Sequence, residues 1–189
     1  IFLRLVTLGE GTEDTRRRAR RAELLDIGAD RDKINTILNT FGQYRLLTFD
    51  RDATTHEPTV EIAHEALIKR WDDLRAWIVE SRDDVRLQRS LASAAKEWRD
   101  NQQQVGYLLH GARLLQYQEW LDETTIGVNE QERAYLDASI AEKERRDAEE
   151  RARQNREAQL QQRVLNRTRF LAFFMAIAII ITMSLALVA

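Results

Sequence analysis

Residues 170–189 read FLAFFMAIAIIITMSLALVA, twenty positions without a charge in which only Thr182 and Ser184 are polar. As an α-helix rising about 1.5 Å per residue, the run is about 30 Å long, the thickness of a bilayer's hydrocarbon core. The sequence therefore predicts one transmembrane helix over 170–189. A buried core helix would need a charge-free protein surface on every side, and a secretory signal would lie at the other end of the chain. Arg163, Arg167 and Arg169 precede the run. By the positive-inside tendency they place residues 1–169 in the cytoplasm, as the leading part of a single-pass membrane protein.

The rest of the chain is polar and evenly charged. Across 189 residues, 29 Lys and Arg stand against 31 Asp and Glu, a formal net charge of −2. That balance argues against a generally basic nucleic-acid binder and against an acidic tail protein. The absence of Cys excludes disulfide scaffolds, thiolate metal sites and cysteine nucleophiles. No G-x-x-x-x-G-K-[ST] phosphate loop occurs, and Gly9-Glu10-Gly11 lacks the third glycine of a dinucleotide fingerprint. His64-Glu65 opens like a zinc-protease motif, but Ile68 stands where the second His belongs, and His56 and His110 have no metal spacing to His64. There is no G-x-S-x-G elbow. The sequence thus predicts neither catalysis nor a metal site in this chain.

One Pro and seven Gly leave long uninterrupted elements, mostly helices. Residues 1–8 (IFLRLVTL) fit the end of a helix or a buried strand. The run Arg16, Arg17, Arg18, Arg20, Arg21 reads as a solvated helix face or as a patch for phosphate or an acidic partner. Asp30 caps a helix over 31–41, with Ile34, Ile37, Leu38 and Phe41 on one face and Gly42 ending it. Strand-like segments at 44–49 and 59–63, joined by a polar loop at 50–58, form a hairpin. A helix followed by such a hairpin is the last part of a winged-helix domain.

Further helices are predicted over 64–79, 84–99 and 105–121. The last has an inward stripe of Leu108, Ala112 and Leu115 and a neighbouring one of Leu114, Tyr117 and Leu121. Trp71, Trp77, Trp98 and Trp120 supply core surface. Asn129 and Glu132 form a capping box. It opens a charged helix that is either a weak coiled coil or a solvated helix held by ion pairs four residues apart. The expected fold class is mainly α: a winged-helix-like domain with a small β-hairpin over 1–80, a helical bundle over 81–128, a charged helical stalk over 129–169 and the transmembrane helix over 170–189.

One segment is distinctive. Val60-Glu61-Ile62-Ala63-His64-Glu65-Ala66-Leu67-Ile68, followed by Trp71, Leu74 and Trp77, resembles the winged-helix end of the novel STAND NTPases, bacterial signal-transduction ATPases with numerous domains. Upstream, Thr15-Arg16-Arg17-Arg18, Arg21-Ala22-Glu23-Leu24 and Arg45-Leu46-Leu47-Thr48 fit the same family. Downstream, Tyr107-Leu108, Gly111-Ala112-Arg113-Leu114, Glu119-Trp120 and the 132–139 segment ERAYLDAS fit it too.

The resemblance implies a regulatory, non-catalytic segment of a signalling switch whose winged-helix region helps hold the nucleotide-bound off state. It implies ATP or ADP on an upstream nucleotide-binding domain, a downstream WD-repeat sensor, attachment to a membrane and homo-oligomerisation on activation. It also implies that His64 touches the nucleotide's phosphates, with Arg16, Arg17 and Arg18 as phosphate or interdomain contacts. The helix N-terminus expected just after His64 would favour an anion there. The alternative is a membrane-anchored winged-helix transcription regulator. Against it, the helix over 31–41 carries Asp30 and Asp32 beside Arg31 and Lys33, and the loop carries Asp50, Asp52 and Glu57, where DNA would need a positive face.

Overall fold

The computed structural model describes residues 1–28 and 30–188, with the side chains of 164, 172, 173 and 176–188 outside that description. The chain divides into two units, Ile1–Ala141 and Glu142–Ala189. The first opens with a 3-10 helix, Phe2–Leu5, and a short hairpin of β1 (Val6–Thr7) and β2 (Thr15–Arg16). Then come β3 (Ala19–Arg20), α1 (Arg21–Leu25), α2 (Arg31–Gln43), β4 (Leu47–Arg51) and β5 (Pro58–Ile62). The three later strands make one antiparallel sheet in the order β3-β5-β4.

The arginine run is therefore extended rather than helical between Thr15 and Arg20. Its side chains alternate with the period of two that extended backbone imposes. Arg16, Arg18 and Arg20 face solvent, Ala19 is buried and Arg17 is half-buried. Register in the sheet is set by Leu47 opposite Ile62 and Phe49 opposite Val60. Val60 and Ile62 of the central strand are buried, as their alternation predicted.

Helix α2 starts where the sequence said. The Asp30 carboxylate accepts from the backbone N–H groups of Asp32 and Lys33, satisfying two donors that a helix start leaves unpaired. Its end differs. Gly42 lies inside the helix, and Arg45 takes the left-handed conformation (φ 56°) that closes it. The N–H of Arg45 donates to the Gly42 carbonyl and that of Leu46 to the Phe41 carbonyl, both at 2.9 Å, the double return of a Schellman cap. Gly42 is small for another reason: a Cβ there would lie 2.5 Å from the Phe49 ring.

The helix expected over 64–79 is two helices, α3 (Ala66–Arg70) and α4 (Asp72–Glu80). The backbone of Trp71 between them is extended (φ −89°, ψ 102°). The break turns the Trp71 ring into an aromatic group with Phe2, Phe41 and Trp77, at centroid distances of 4.9, 5.8 and 5.8 Å. Helix α5 (Arg82–Asp100) follows, then a 3-10 turn, Val105–Tyr107, and α6 (Gly111–Glu123). The helix expected over 105–121 thus begins six residues late. Leu108 and Leu109 precede it and are both buried. With the later start, the inward stripe is Leu114, Tyr117 and Trp120, while Leu115 is exposed.

Two hydrophobic cores fill this unit. The first gathers Leu5, Leu24, Ile34, Leu38, Val60, Ile62, Leu74 and Ile78 among others. The second gathers Leu91, Trp98, Leu114, Tyr117, Trp120, Tyr135 and Leu136 among others. Tyr135 and Leu136 come from α7 (Glu130–Val188). The Tyr135 hydroxyl donates to the Tyr107 carbonyl at 2.8 Å, and the Ser139 hydroxyl accepts from the Leu109 N–H at 3.2 Å. In the second unit, Glu142 accepts from Arg145 and Arg146 at 2.6–2.9 Å, pairs at three- and four-residue helical spacing. Those two guanidiniums hold the Glu142 carboxyl down at about 2.

The transmembrane and membrane-localisation expectations are overturned. Among the described residues, no helix is long and apolar enough to cross a membrane. Of the run at 170–189, the described side chains end at Met175. The side chains of 172, 173 and 176–188, and residue 189, on which the rest of that prediction falls, lie outside the described residues.

A tight approach joins the two cores at Gly127, where a Cβ would lie 2.4 Å from the Ile27 carbonyl oxygen and 3.2 Å from the Ile27 Cβ. We expect Gly127→Ala to lower stability by about 1–3 kcal/mol. The urea midpoint of the full chain measures it, and an unchanged midpoint would contradict the packing.

Candidate functional site

Arg4 is a charged residue inside an apolar segment, and it is 3% exposed. Such a charge must be paired and hydrogen-bonded. Its two terminal nitrogens donate to the Glu132 carboxylate at 3.1 and 2.8 Å, and one also donates to the Gly127 carbonyl at 2.7 Å. Glu132, 1% exposed, is the residue of the predicted capping box. Its backbone N–H donates to the Asn129 side-chain oxygen at 2.8 Å, and its carboxylate accepts from the Asn129 N–H at 2.9 Å. The buried Gln88 amide adds a third donor at 2.7 Å.

The network continues through Glu23. Arg17 donates to it with two nitrogens at 2.8 and 3.0 Å, and Arg4 with one at 3.3 Å. Burial would raise the Glu23 carboxyl, but the Arg17 hydrogen bonds and charge, with Arg4 and Arg89 behind, hold it below the usual carboxylate range. Arg89 donates to the carbonyls of Leu3, Arg4 and Val6 at 2.8–3.3 Å. Sequence reasoning marked Glu132 only as a cap and missed Arg4, Gln88 and Arg89. A lone Arg within IFLRLVTL and a Gln on the apolar stripe of α5 were the available signals.

The predicted site residues fall in different places. His64 is exposed, between β5 and α3, and its ring has no hydrogen-bond partner among the described residues. The helix that follows it has five residues. Two of its early N–H groups already bond to the carbonyls of His64 and Glu65, so the anion-favouring terminus expected there is small. Arg16 lies nearby, donating to the Ala63 carbonyl at 3.4 Å. Arg18 stands 3.5 Å from Glu61 and 3.8 Å from Asp50. Arg17 points the other way, into the Glu23 network. Of the clefts on this unit, one is about 450 Å³ and another about 470 Å³; Arg17 lines both, Arg18 the first, and His64 neither. No group of three or more His, Asp or Glu among the described residues could hold a metal ion.

The model of the Novel STAND NTPase 1 family matches residues 1–106, more than half of the chain. The protein belongs to this family, and this chain is a STAND NTPase-associated region. No curated protein and no solved structure matches it.

Removing one member of a buried pair strands the other. We expect Glu132→Ala to cost about 3–5 kcal/mol, against about 0–1 kcal/mol for Asp72→Ala, whose partner Arg75 is at the surface. Urea denaturation of both variants compares them. Because the Glu23 pKa is lower in the folded chain, its contribution is complete above about pH 4.5 and is lost as pH falls through the folded value. Glu23→Gln should therefore flatten the acid limb of the stability–pH curve, and an unaltered limb would contradict the pairing.

Proposed function

We propose that this chain is the regulatory, non-catalytic arm of a STAND-type NTPase switch, helping a nucleotide-binding domain keep its bound ADP or ATP in the off state. The family match over residues 1–106 carries this reading. The connectivity of β3, α1, α2, β4 and β5, with strand order β3-β5-β4, supports reading the first part of the chain as a winged helix. A downstream WD-repeat sensor and homo-oligomerisation on activation complete the switch in the same reading.

Within it, His64 is the nucleotide contact. An exposed imidazole with no partner among the described residues is free to donate to a phosphate oxygen. Arg16, exposed at the end of β2, and Arg18, exposed between β2 and β3, serve as interdomain or phosphate contacts. Arg17 is committed to Glu23 and acts by holding its own unit together. A DNA-binding role is disfavoured because Arg31 pairs with Asp26 and Lys33 with Asp30, so α2 offers no unpaired cationic start to a duplex.

The test is His64→Ala in the full-length switch. We expect lower ADP content in the purified protein, by about ten-fold for a lost charge-assisted contact, together with raised basal signalling. Nucleotide content and signalling that both match the parent would remove His64 from the site.

A further inference from the structure

We propose that the seam between the two cores of the first unit is an opening joint, at which residues 82–141 turn away from residues 1–80 about Ser81 while both cores stay folded. The first argument is connectivity. The buried side chains of the first core come from positions up to Ile78, and those of the second from Leu91 to Leu136. The chain therefore passes between them once, at Ser81, the single residue between α4 and α5. The Ser81 N–H donates to the Trp77 carbonyl and its own carbonyl accepts from the Val85 N–H, both at 2.9 Å. One bond belongs to the helix before it and one to the helix after, so turning φ and ψ of Ser81 breaks neither. A few element-end residues of this kind suffice for a hinge.

The second argument is the chemistry of the seam. Among the described residues, its hydrogen bonds and ion pairs come from three arginines. Arg4 reaches Glu132 and the Gly127 carbonyl, and Arg82 reaches Asp14 and the Gly9 carbonyl. Arg89 reaches Glu23 and the carbonyls of Leu3, Arg4 and Val6. Parting both members of such a pair into water returns the hydration that burial took from them, so a polar seam gains little by staying shut. The cleft of about 450 Å³, lined by Glu23 and Asp26 on one side and Lys96, Arg99 and Glu132 on the other, brings open space to its edge.

The third argument is a cost borne only when the seam is shut. One terminal nitrogen of Arg89 is buried with no hydrogen-bond acceptor among the described residues, 3.8 Å from a Glu23 oxygen. Burial, with the charges of Arg17 and Arg4, brings the Arg89 pKa down to about 10, so the group stays a cation at neutral pH while held away from water beside two others. A buried donor without an acceptor is destabilising, and opening the seam wets it. The joint is separate from His64 and does not depend on the nucleotide reading.

The chain has no Cys, so Lys33→Cys on α2 and Gln116→Cys on α6, both exposed positions, give two spin-label sites, one on each side of the seam. Pulsed electron paramagnetic resonance of the full chain then reads the distance between them. We expect a main distance and a longer one. Glu132→Gln removes a charge from the seam and should raise the longer population about ten-fold. Asp14→Asn, at the partly exposed end of the seam, should raise it about two- to three-fold. Asp72→Asn, whose carboxylate meets Arg75 at the surface, should leave it unchanged. Far-ultraviolet dichroism should stay at the parent value in all three. If Glu132→Gln does not fold, Asp14→Asn decides alone. A single distance shared by the parent and the folded seam variants overturns the joint. So does a longer distance that grows equally in Asp72→Asn, or only in step with lost dichroism.

Discussion

Arg4 and Glu132 lie 128 positions apart in sequence, and each is shut away from water. Neither could remain ionised there alone, because taking an isolated charge out of water costs more than folding can return. The pair therefore forces the start of the chain and the start of α7 to meet, and the rest of the first unit is arranged around that meeting. Gly127 supplies the carbonyl that completes Arg4, and its missing side chain admits Ile27. Gln88 reaches the same carboxylate from α5. Against a hydrophobic core of the same volume, such a cluster adds little net stability, but it tolerates only one mutual placement of its members.

That matters because the first unit has two cores rather than one. The sheet-and-helix core and the helical core are separate clusters of buried side chains. The guanidinium–carboxylate cluster, with Arg4 from the start of the chain, Gln88 from α5 and Glu132 from α7, ties them together. A second ion pair, between Arg82 of α5 and Asp14 of the β1–β2 loop at 2.7 Å, works in the same direction from the other side.

How much of this could be read from the residues depended on how local the cause was. The cap at Asp30, the hairpin strands and the Asn129–Glu132 box all follow from interactions within a few positions, and the sequence carried them. The break at Trp71 did not show, because nothing near it disfavours a helix; the cause is an aromatic group formed with Phe2 and Phe41 from distant segments. The strands around Arg16 and Ala19 were hidden by a run of like charges that matches a helix as well as it matches a strand, and the partners that decide are β1 for the first and β5 for the second. For the site, His64 stood out by its sequence neighbourhood. The arginines of the junction did not, since a buried charge is recognisable only once its counter-charge is in view. The family match rests on the whole of 1–106 rather than on any one of these residues.

The tryptophans divide two and two. Trp71 and Trp77 sit in the aromatic group beside the first core, with Trp77 two-fifths exposed, whereas Trp98 and Trp120 are buried in the second. The Trp120 indole N–H donates to Asp84 at 3.0 Å, and that of Trp98 has no acceptor among the described residues. The chain thus carries its own optical labels. Near-ultraviolet dichroism from the coupled Trp71–Trp77 rings and emission from the dry indoles of the other pair report on the two cores of the first unit, with no dye attached.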